Sequence, residues 1–176
     1  MRYRLLGKTG LMVSEIGLGA EWLERHNAEE CKAIIDTCED LGINILDCWM
    51  SEPNVRTNIG NAIRGRREKW YIQGHIGSTW QNGQYVRTRD MDKVVPAFED
   101  LLARLQTDYI DLGMIHFVDS EEDWNTVVNG PFLQYVLQLK QKVRAGRAGD
   151  QRVRQRDVAG RLGARRVSAT AWLGMP

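Results

Sequence analysis

The chain has 176 residues, 43% hydrophobic and 27% charged, a balance that fits a folded soluble domain and excludes a disordered or membrane-embedded class. Its formal net charge of +1 hides two unlike pieces: residues 1–142 hold 16 Lys and Arg against 21 Asp and Glu, or −5, and residues 143–176 hold eight Arg against two Asp, or +6. No apolar run approaches the roughly 18–20 residues that span a bilayer, and the start, Met1 to Lys8, has no apolar signal core, so the expectation is a cytoplasmic protein with no membrane partner.

In chain order, two short apolar runs flank Gly7-Lys8-Thr9-Gly10, which predicts a β-hairpin. Glu15 to Gly19 follows as a short strand. Residues 28–41 place Cys31, Ala33, Ile34, Ile35, Cys38 and Leu41 at helical spacing, with Asn27 as cap, Glu30 as its reciprocal partner and Gly42 as the stop. Ile43 to Asp47 predicts a second strand, and Ser51-Glu-Pro-Asn opens a second helix that turns Val55, Ile59, Ala62 and Ile63 inward. Lys69 to Ile76 reads as a third strand, and residues 77–89 as a polar loop. A third helix starts near Asp90 with Met91, Val94, Val95, Phe98, Leu102 and Leu105 on one face, Tyr109 to His116 predicts a fourth strand, and Pro131 to Lys142 a last helix. A hairpin followed by four βα units implies an α/β fold with parallel strands, a partial (β/α)8 barrel over residues 1–142.

The cysteines Cys31, Cys38 and Cys48 are odd in number and lack CxxC spacing, which argues against a disulfide framework or structural zinc and predicts reduced, mostly buried thiols. After Lys142 the composition changes. Residues 143–176 contain eight Arg, six Ala and five Gly but no Ile or Glu, of which residues 1–142 have eleven each. No helical or strand period is visible there. A basic nucleic-acid arm would interleave aromatics, and this segment has only Trp172 in an otherwise acidic protein, so no nucleic-acid partner is expected. A GC-rich gene read out of frame yields such a product, and an out-of-frame or disordered tail is the expectation.

Active-site groups of a βα barrel lie at the C-terminal ends of its strands. Asp47, His75 and His116 end the second, third and fourth predicted strands, and Trp22, Trp49 and Trp80 follow the first, second and third. Each alone has a plain structural explanation, a loop carboxylate or a satisfied core histidine. Together they predict a pocket with a polar floor and indole walls. His26 reads as a surface residue.

At these residues the chain resembles a known family. Arg4-Leu-Leu-Gly-Lys-Thr-Gly-Leu-Met-Val-Ser-Glu-Ile-Gly-Leu-Gly19 is similar to the opening of the aldo/keto reductases, Gly42-Ile-Asn-Ile-Leu-Asp47 to their second-strand motif, Arg67-Glu-Lys-Trp-Tyr-Ile-Gln-Gly-His75 to their third and Asp108-Tyr-Ile-Asp-Leu-Gly-Met-Ile-His116-Phe-Val-Asp119 to their fourth. The resemblance covers roughly residues 2–142. It implies a (β/α)8 barrel that moves a hydride between NADPH and a small carbonyl or alcohol, with Gly19, Ala20 and Asp47 toward the cofactor. Of the family's catalytic Asp, Tyr, Lys and His, Asp47 and His116 match, whereas the tyrosine position falls on Glu52 and the lysine position on His75. A protonated Glu52, or a His75 imidazolium held by Asp47, would have to supply the proton. The resemblance also implies that strands five to eight, which hold most of the cofactor in the family, are not among these residues, so weak or no NADPH binding is expected. A partial barrel leaves strand edges and an apolar face that a homodimer would cover. Two other readings stand beside the reductase: a metal-dependent hydrolase using Asp47, Glu52, His75 and His116, although no HxH or HExxH spacing is present, and a non-catalytic half-barrel that serves as an interaction module.

Overall fold

The computed structural model describes residues 1–147 and 172–174. The chain opens with the expected hairpin, β1 (Tyr3–Leu5) paired antiparallel with β2 (Met12–Ser14). Then β3 (Leu18–Gly19), α1 (Ala28–Asp40), β4 (Ile45–Cys48), α2 (Pro53–Ala62) and β5 (Tyr71–Ile76) alternate as predicted. The capping box of α1 is present in both directions, Asn27 accepting from the Glu30 N–H and Glu30 from the Asn27 N–H. After β5 come β6 (Ser78–Gln81), β7 (Gln84–Arg87), α3 (Met91–Leu105), β8 (Leu112–Ile115), α4 (Glu121–Asn129), α5 (Pro131–Arg147) and β9 (Trp172–Gly174).

The sheet runs β3-β4-β5-β8-β9, and its first four strands are parallel. With the helices of the βα units this is an α/β partial barrel, as the strand and helix order implied. Successive residues of a strand point to opposite faces. One face turns Leu46, Cys48, Ile72, Ile76 and Ile115 into a core shared with Ile35, Ile59, Leu101 and Phe132 of the helices. The other carries Asp47, Gln73, His75 and Met114, because the register pairs Asp47 with Gln73 and His75 with Met114. The core is closely fitted: a methyl group on Gly60 of α2 would come 2.1 Å from the Arg104 carbonyl of α3, so the two helices meet backbone to backbone only because this residue lacks a side chain.

Three segments differ from the sequence expectation. The loop expected over 77–89 is a hairpin, β6 with β7, turned by Asn82 and Gly83 at φ 52° and 78°; positive φ at both central residues is what a two-residue hairpin turn needs. Between the fourth strand and the last helix lies α4, capped by Ser120, which accepts the Asp123 N–H. In the tail, where no strand period was visible, β9 pairs antiparallel with β8, meeting the backbone N–H and C=O groups that an edge strand presents. The last predicted helix also runs on to Arg147. The remainder of the segment expected to be out of frame or disordered, residues 148–171 and 175–176, lies outside the described residues. Among the described residues no helix is long and apolar enough to cross a membrane.

Candidate active site

Pleat and register put Asp47, His75 and His116 on one face at the C-terminal ends of β4, β5 and β8. They form a continuous hydrogen-bonded series. His75 Nε2 lies 2.9 Å from Asp47 Oδ1, and His75 Nδ1 lies 2.9 Å from His116 Nδ1. The series does not stop there, because the phenol oxygen of Tyr85 lies 2.5 Å from His116 Nε2. Tyr85 comes from β7, in the segment read from sequence as a loop. Trp49 stacks parallel to the His116 ring, with centroids 5.6 Å apart, and takes the Tyr85 ring edge-on at 5.3 Å.

The electrostatics follow from depth. His116 is 5% exposed. Burial, with further contributions from His75, Arg89 and Arg87, lowers its pKa to about 3, so this imidazole is neutral at neutral pH and carries one N–H. Burial also raises the Tyr85 pKa, which keeps its proton on the phenol. At the other end the Asp47 side chain is 38% exposed and that of His75 10%, so the series runs from a half-open carboxylate to a buried ring. With a neutral His75 these contacts are met when Tyr85 donates to His116 Nε2, His116 Nδ1–H to His75 Nδ1, and His75 Nε2–H to Asp47. The Gln73 carboxamide nitrogen lies 3.1 Å from His75 Nε2.

The β6–β7 hairpin, the inner of the two, is fastened to this site from both sides. Arg89 donates to the His116 carbonyl at 2.7 Å and pairs with Asp123, and Arg87 donates to the Phe117 carbonyl at 2.7 Å and to Asp119. Held in this way, Phe117 adopts φ 49°, is 62% exposed as a residue, and tilts its ring against His116. A non-glycine residue there is strained, and such strain persists where surrounding contacts enforce it.

The remaining predicted residues divide. Trp49 belongs to the cluster, and Trp80 pairs with Tyr85 across the hairpin. Trp22 is 56% exposed and lies under the Arg25 guanidinium, and among the described residues no ring contact joins it to His75 or His116. Glu52 caps α2, accepting the Val55 N–H at 2.7 Å, and lines a separate polar cleft of about 550 Å³ with Arg25, Asn27 and Asn58. That is an acceptor's position, and no hydrogen bond of the described residues joins Glu52 to His75 or His116. Gly19 lies beside Asp47 in register, with open space where a side chain would stand, and Ala20, fully buried, donates its N–H to the Asp47 carbonyl at 3.0 Å. The edge next to Asp47 is therefore free of side-chain atoms at Gly19. His26 is an exposed partner of Glu30. Cys31 and Cys48 are buried free thiols and Cys38 is half-buried; burial pushes the Cys48 pKa up to about 11, which makes it unreactive. Among the described residues no group of three or more His, Cys, Asp or Glu is arranged to hold a metal ion.

Tyr85, Arg87, Arg89 and Phe117 are the site residues that sequence reasoning missed. The signal for the first three was present in Asn82-Gly83, a strong two-residue turn between Ser78-Thr-Trp-Gln81 and Gln84-Tyr-Val-Arg87.

Known proteins are similar to much of this chain. The aldo/keto reductase family model matches residues 15–158. The uncharacterized oxidoreductase YqkF of Bacillus subtilis (strain 168) is 37% identical over 122 residues, covering 66% of this chain and 39% of that protein. A putative aldo-keto reductase of Pseudomonas aeruginosa superposes with a TM-score of 0.69 at 30% identity, over 80% of this chain and 56% of that one. An aldo-keto reductase of Klebsiella pneumoniae, solved in complex with NADPH, shares the fold at 21% identity and a TM-score of 0.55, over 79% of this chain and 44% of that one. The chain spans about two fifths of the length of the curated relatives it matches. Strand order, the rim of Asp47, His75 and His116, and these matches lead to one conclusion: the chain belongs to the aldo/keto reductase family.

Proposed function

We propose that the chain carries the proton-handling rim of an oxidoreductase that exchanges a hydride between NADPH and a small carbonyl or alcohol. The observation that carries this reading is the hydrogen-bonded series from Asp47 through His75 to His116 at the strand ends of an aldo/keto reductase fold. NADPH, when bound, supplies a hydride and its two electrons to the carbonyl carbon. The protein's own work is then to hold the carbonyl and deliver a proton to its oxygen, a service worth roughly 10²- to 10⁴-fold in rate. Gly19, Ala20 and Asp47 would hold the cofactor on the open edge beside β4. Trp49 and Phe117 set apolar rings against His116, and their planar faces suit an apolar or aromatic substrate portion. Both ring nitrogens of His75 are engaged, by Asp47 and by His116, so a His75 proton reaches substrate through His116 rather than directly.

The test is turnover of aliphatic and aromatic aldehydes and ketones by the purified chain at millimolar NADPH, a concentration chosen because weak cofactor binding is expected. Alcohol formed in step with NADPH consumed, and lost in Asp47→Asn, supports the reading. A folded protein that forms no alcohol with any carbonyl favours the non-catalytic half-barrel, which the use of Glu52 as a helix cap already favours to a degree.

A further inference from the structure

We propose that Tyr85 is the residue that gives its proton to the carbonyl oxygen, resupplied through His116 from a His75 imidazolium held by Asp47. The inference rests on the reductase reading above. It assigns to β7 of the inner hairpin the task that the family gives to a tyrosine whose position here is Glu52.

The argument is one of elimination and then of balance. Glu52 is spent on the α2 N-terminus. His75 has Asp47 on one nitrogen and His116 on the other, and His116 has His75 on one and Tyr85 on the other. Neither imidazole has a nitrogen left for substrate. A phenol has one donor and two acceptor positions, so Tyr85 can accept an N–H from His116 and still direct its own proton outward. It is half-buried, and its ring meets His116 edge-on.

Two proton arrangements fit the same heavy atoms. Before transfer, His75 is an imidazolium donating from Nε2 to Asp47 and from Nδ1 to His116 Nδ1, His116 donates from Nε2 to the Tyr85 oxygen, and the Tyr85 O–H faces the substrate. As the hydride reaches the carbonyl carbon, the electron pair of the C=O π bond moves to oxygen and takes the Tyr85 proton. The Nε2 proton of His116 moves to the Tyr85 oxygen, and the Nδ1 proton of His75 moves to His116 Nδ1. The product is an alcohol, an intact phenol and a neutral His75 still bonded to Asp47, and oxidation of an alcohol runs the same steps backward. His116 is neutral in both arrangements and only exchanges one tautomer for the other. A ring this buried is unsuited to carry charge but well suited to pass it. The cation resides instead on His75, beside the carboxylate.

The experiment uses the whole chain with 15N-labelled histidine, followed by long-range proton–nitrogen NMR across pH without substrate, alongside turnover. As pH rises, the His116 N–H should move from Nε2 to Nδ1, and Tyr85→Phe, which removes the Nε2 partner, should shift the His116 Nε2 signal. In the turnover assay Tyr85→Phe should lower kcat about 10²- to 10⁴-fold with KM changed only a few-fold. Tyr3→Phe, which removes a hydroxyl from the other hairpin, should leave kcat unchanged. Unaltered His116 nitrogen signals in Tyr85→Phe, or a kcat within tenfold of wild type, overturns the proposal. A normal tautomer exchange in a wild-type chain that reduces no carbonyl also overturns it, and then the fault lies with the reductase reading, because the relay has been seen without substrate.

Discussion

The molecule contains two small antiparallel hairpins, and the contrast between them shows how one sheet separates stability from chemistry. The outer hairpin, β1 with β2, sits at the entrance to β4. Asn44, just before that strand, accepts the Ser14 N–H at 2.8 Å and donates to the Met12 carbonyl at 2.9 Å, and Tyr3 donates to the Gly42 carbonyl at 2.8 Å. All of β1 is exposed. The inner hairpin, β6 with β7, sits at the exit. Ser51 donates to the Thr79 carbonyl and Ser78 to the Trp49 carbonyl, each at 2.7 Å and each from a buried hydroxyl. Each hairpin is fastened to the residues flanking β4, at opposite ends. In a parallel sheet only the exit end collects side chains from several strands around one point, so the inner hairpin meets His116 and the outer one meets the Asn44 side chain and the Gly42 carbonyl.

The largest effect that would sharpen this contrast is acid sensitivity. His116 titrates near 6.5 when unfolded and near 3 when folded, so in that window the unfolded chain binds the extra proton and stability rises with pH. On acidification from about pH 6.5 to 4.5 the protein should lose about 2–3 kcal/mol from this residue alone. The ion-paired carboxylates Asp36, Glu39 and Asp119 have folded pKa values below their ordinary ones, so their contribution is lost at lower pH, from about 4.5 downward. Urea unfolding at a series of pH values checks this. The first limb should flatten in His116→Asn, and a limb of unchanged slope would mean that the ring is not held neutral by burial.

Next in size are the fastenings. Ser51→Ala or Ser78→Ala removes the donor to a buried carbonyl and should cost about 1–3 kcal/mol each in urea unfolding. Asn44→Ala should cost a similar amount at the other end. The stability losses are alike, and the site separates them: Ser78→Ala frees the Trp49 carbonyl and should shift the His116 nitrogen signals, and Asn44→Ala should not. Equal shifts from both would break the division between the two ends.

Much of this was legible in the sequence. Four of the helices, α1, α2, α3 and α5, declared themselves by apolar spacing and caps, as with Asn27 and Glu30, because an amphipathic stripe is a local property, whereas α4 did not. Asp47, His75 and His116 were placed on one rim because strand order and a period of two suffice for that. The series continuing to Tyr85 was hidden for a different reason. A polar hairpin lying across the end of a sheet has weak alternation, since part of each strand faces the cluster and part faces solvent, and only its turn, Asn82-Gly83, is a local signal. Glu52 shows the reverse limit. Alignment put it at a catalytic position, and helix start chemistry, with Pro53 at the first turn, took it for a cap.

The smallest effect tests the turns themselves. Gly10 and Gly83 have φ of 80° and 78°, and a methyl group on either would touch nothing within 4 Å. Alanine at each position is therefore burdened by backbone strain alone, about 1–2 kcal/mol for an L residue in that region. Gly10→Ala and Gly83→Ala should lower the thermal midpoint by nearly the same few degrees. Their consequences should then part. Tyr85 lies two residues beyond Gly83, and its hydroxyl must stay within hydrogen-bond reach of His116 Nε2, a tolerance of a few tenths of an ångström. A strained turn relaxes by shifting β7 along β6, and such a shift weakens that bond before it unfolds anything. Gly83→Ala should broaden or move the His116 Nε2 signal while Gly10→Ala leaves it sharp, although the two are matched in strain. If the signal responds to neither, Tyr85 is positioned by Arg87 and Arg89 from the far end of β7, and the turn only closes the chain.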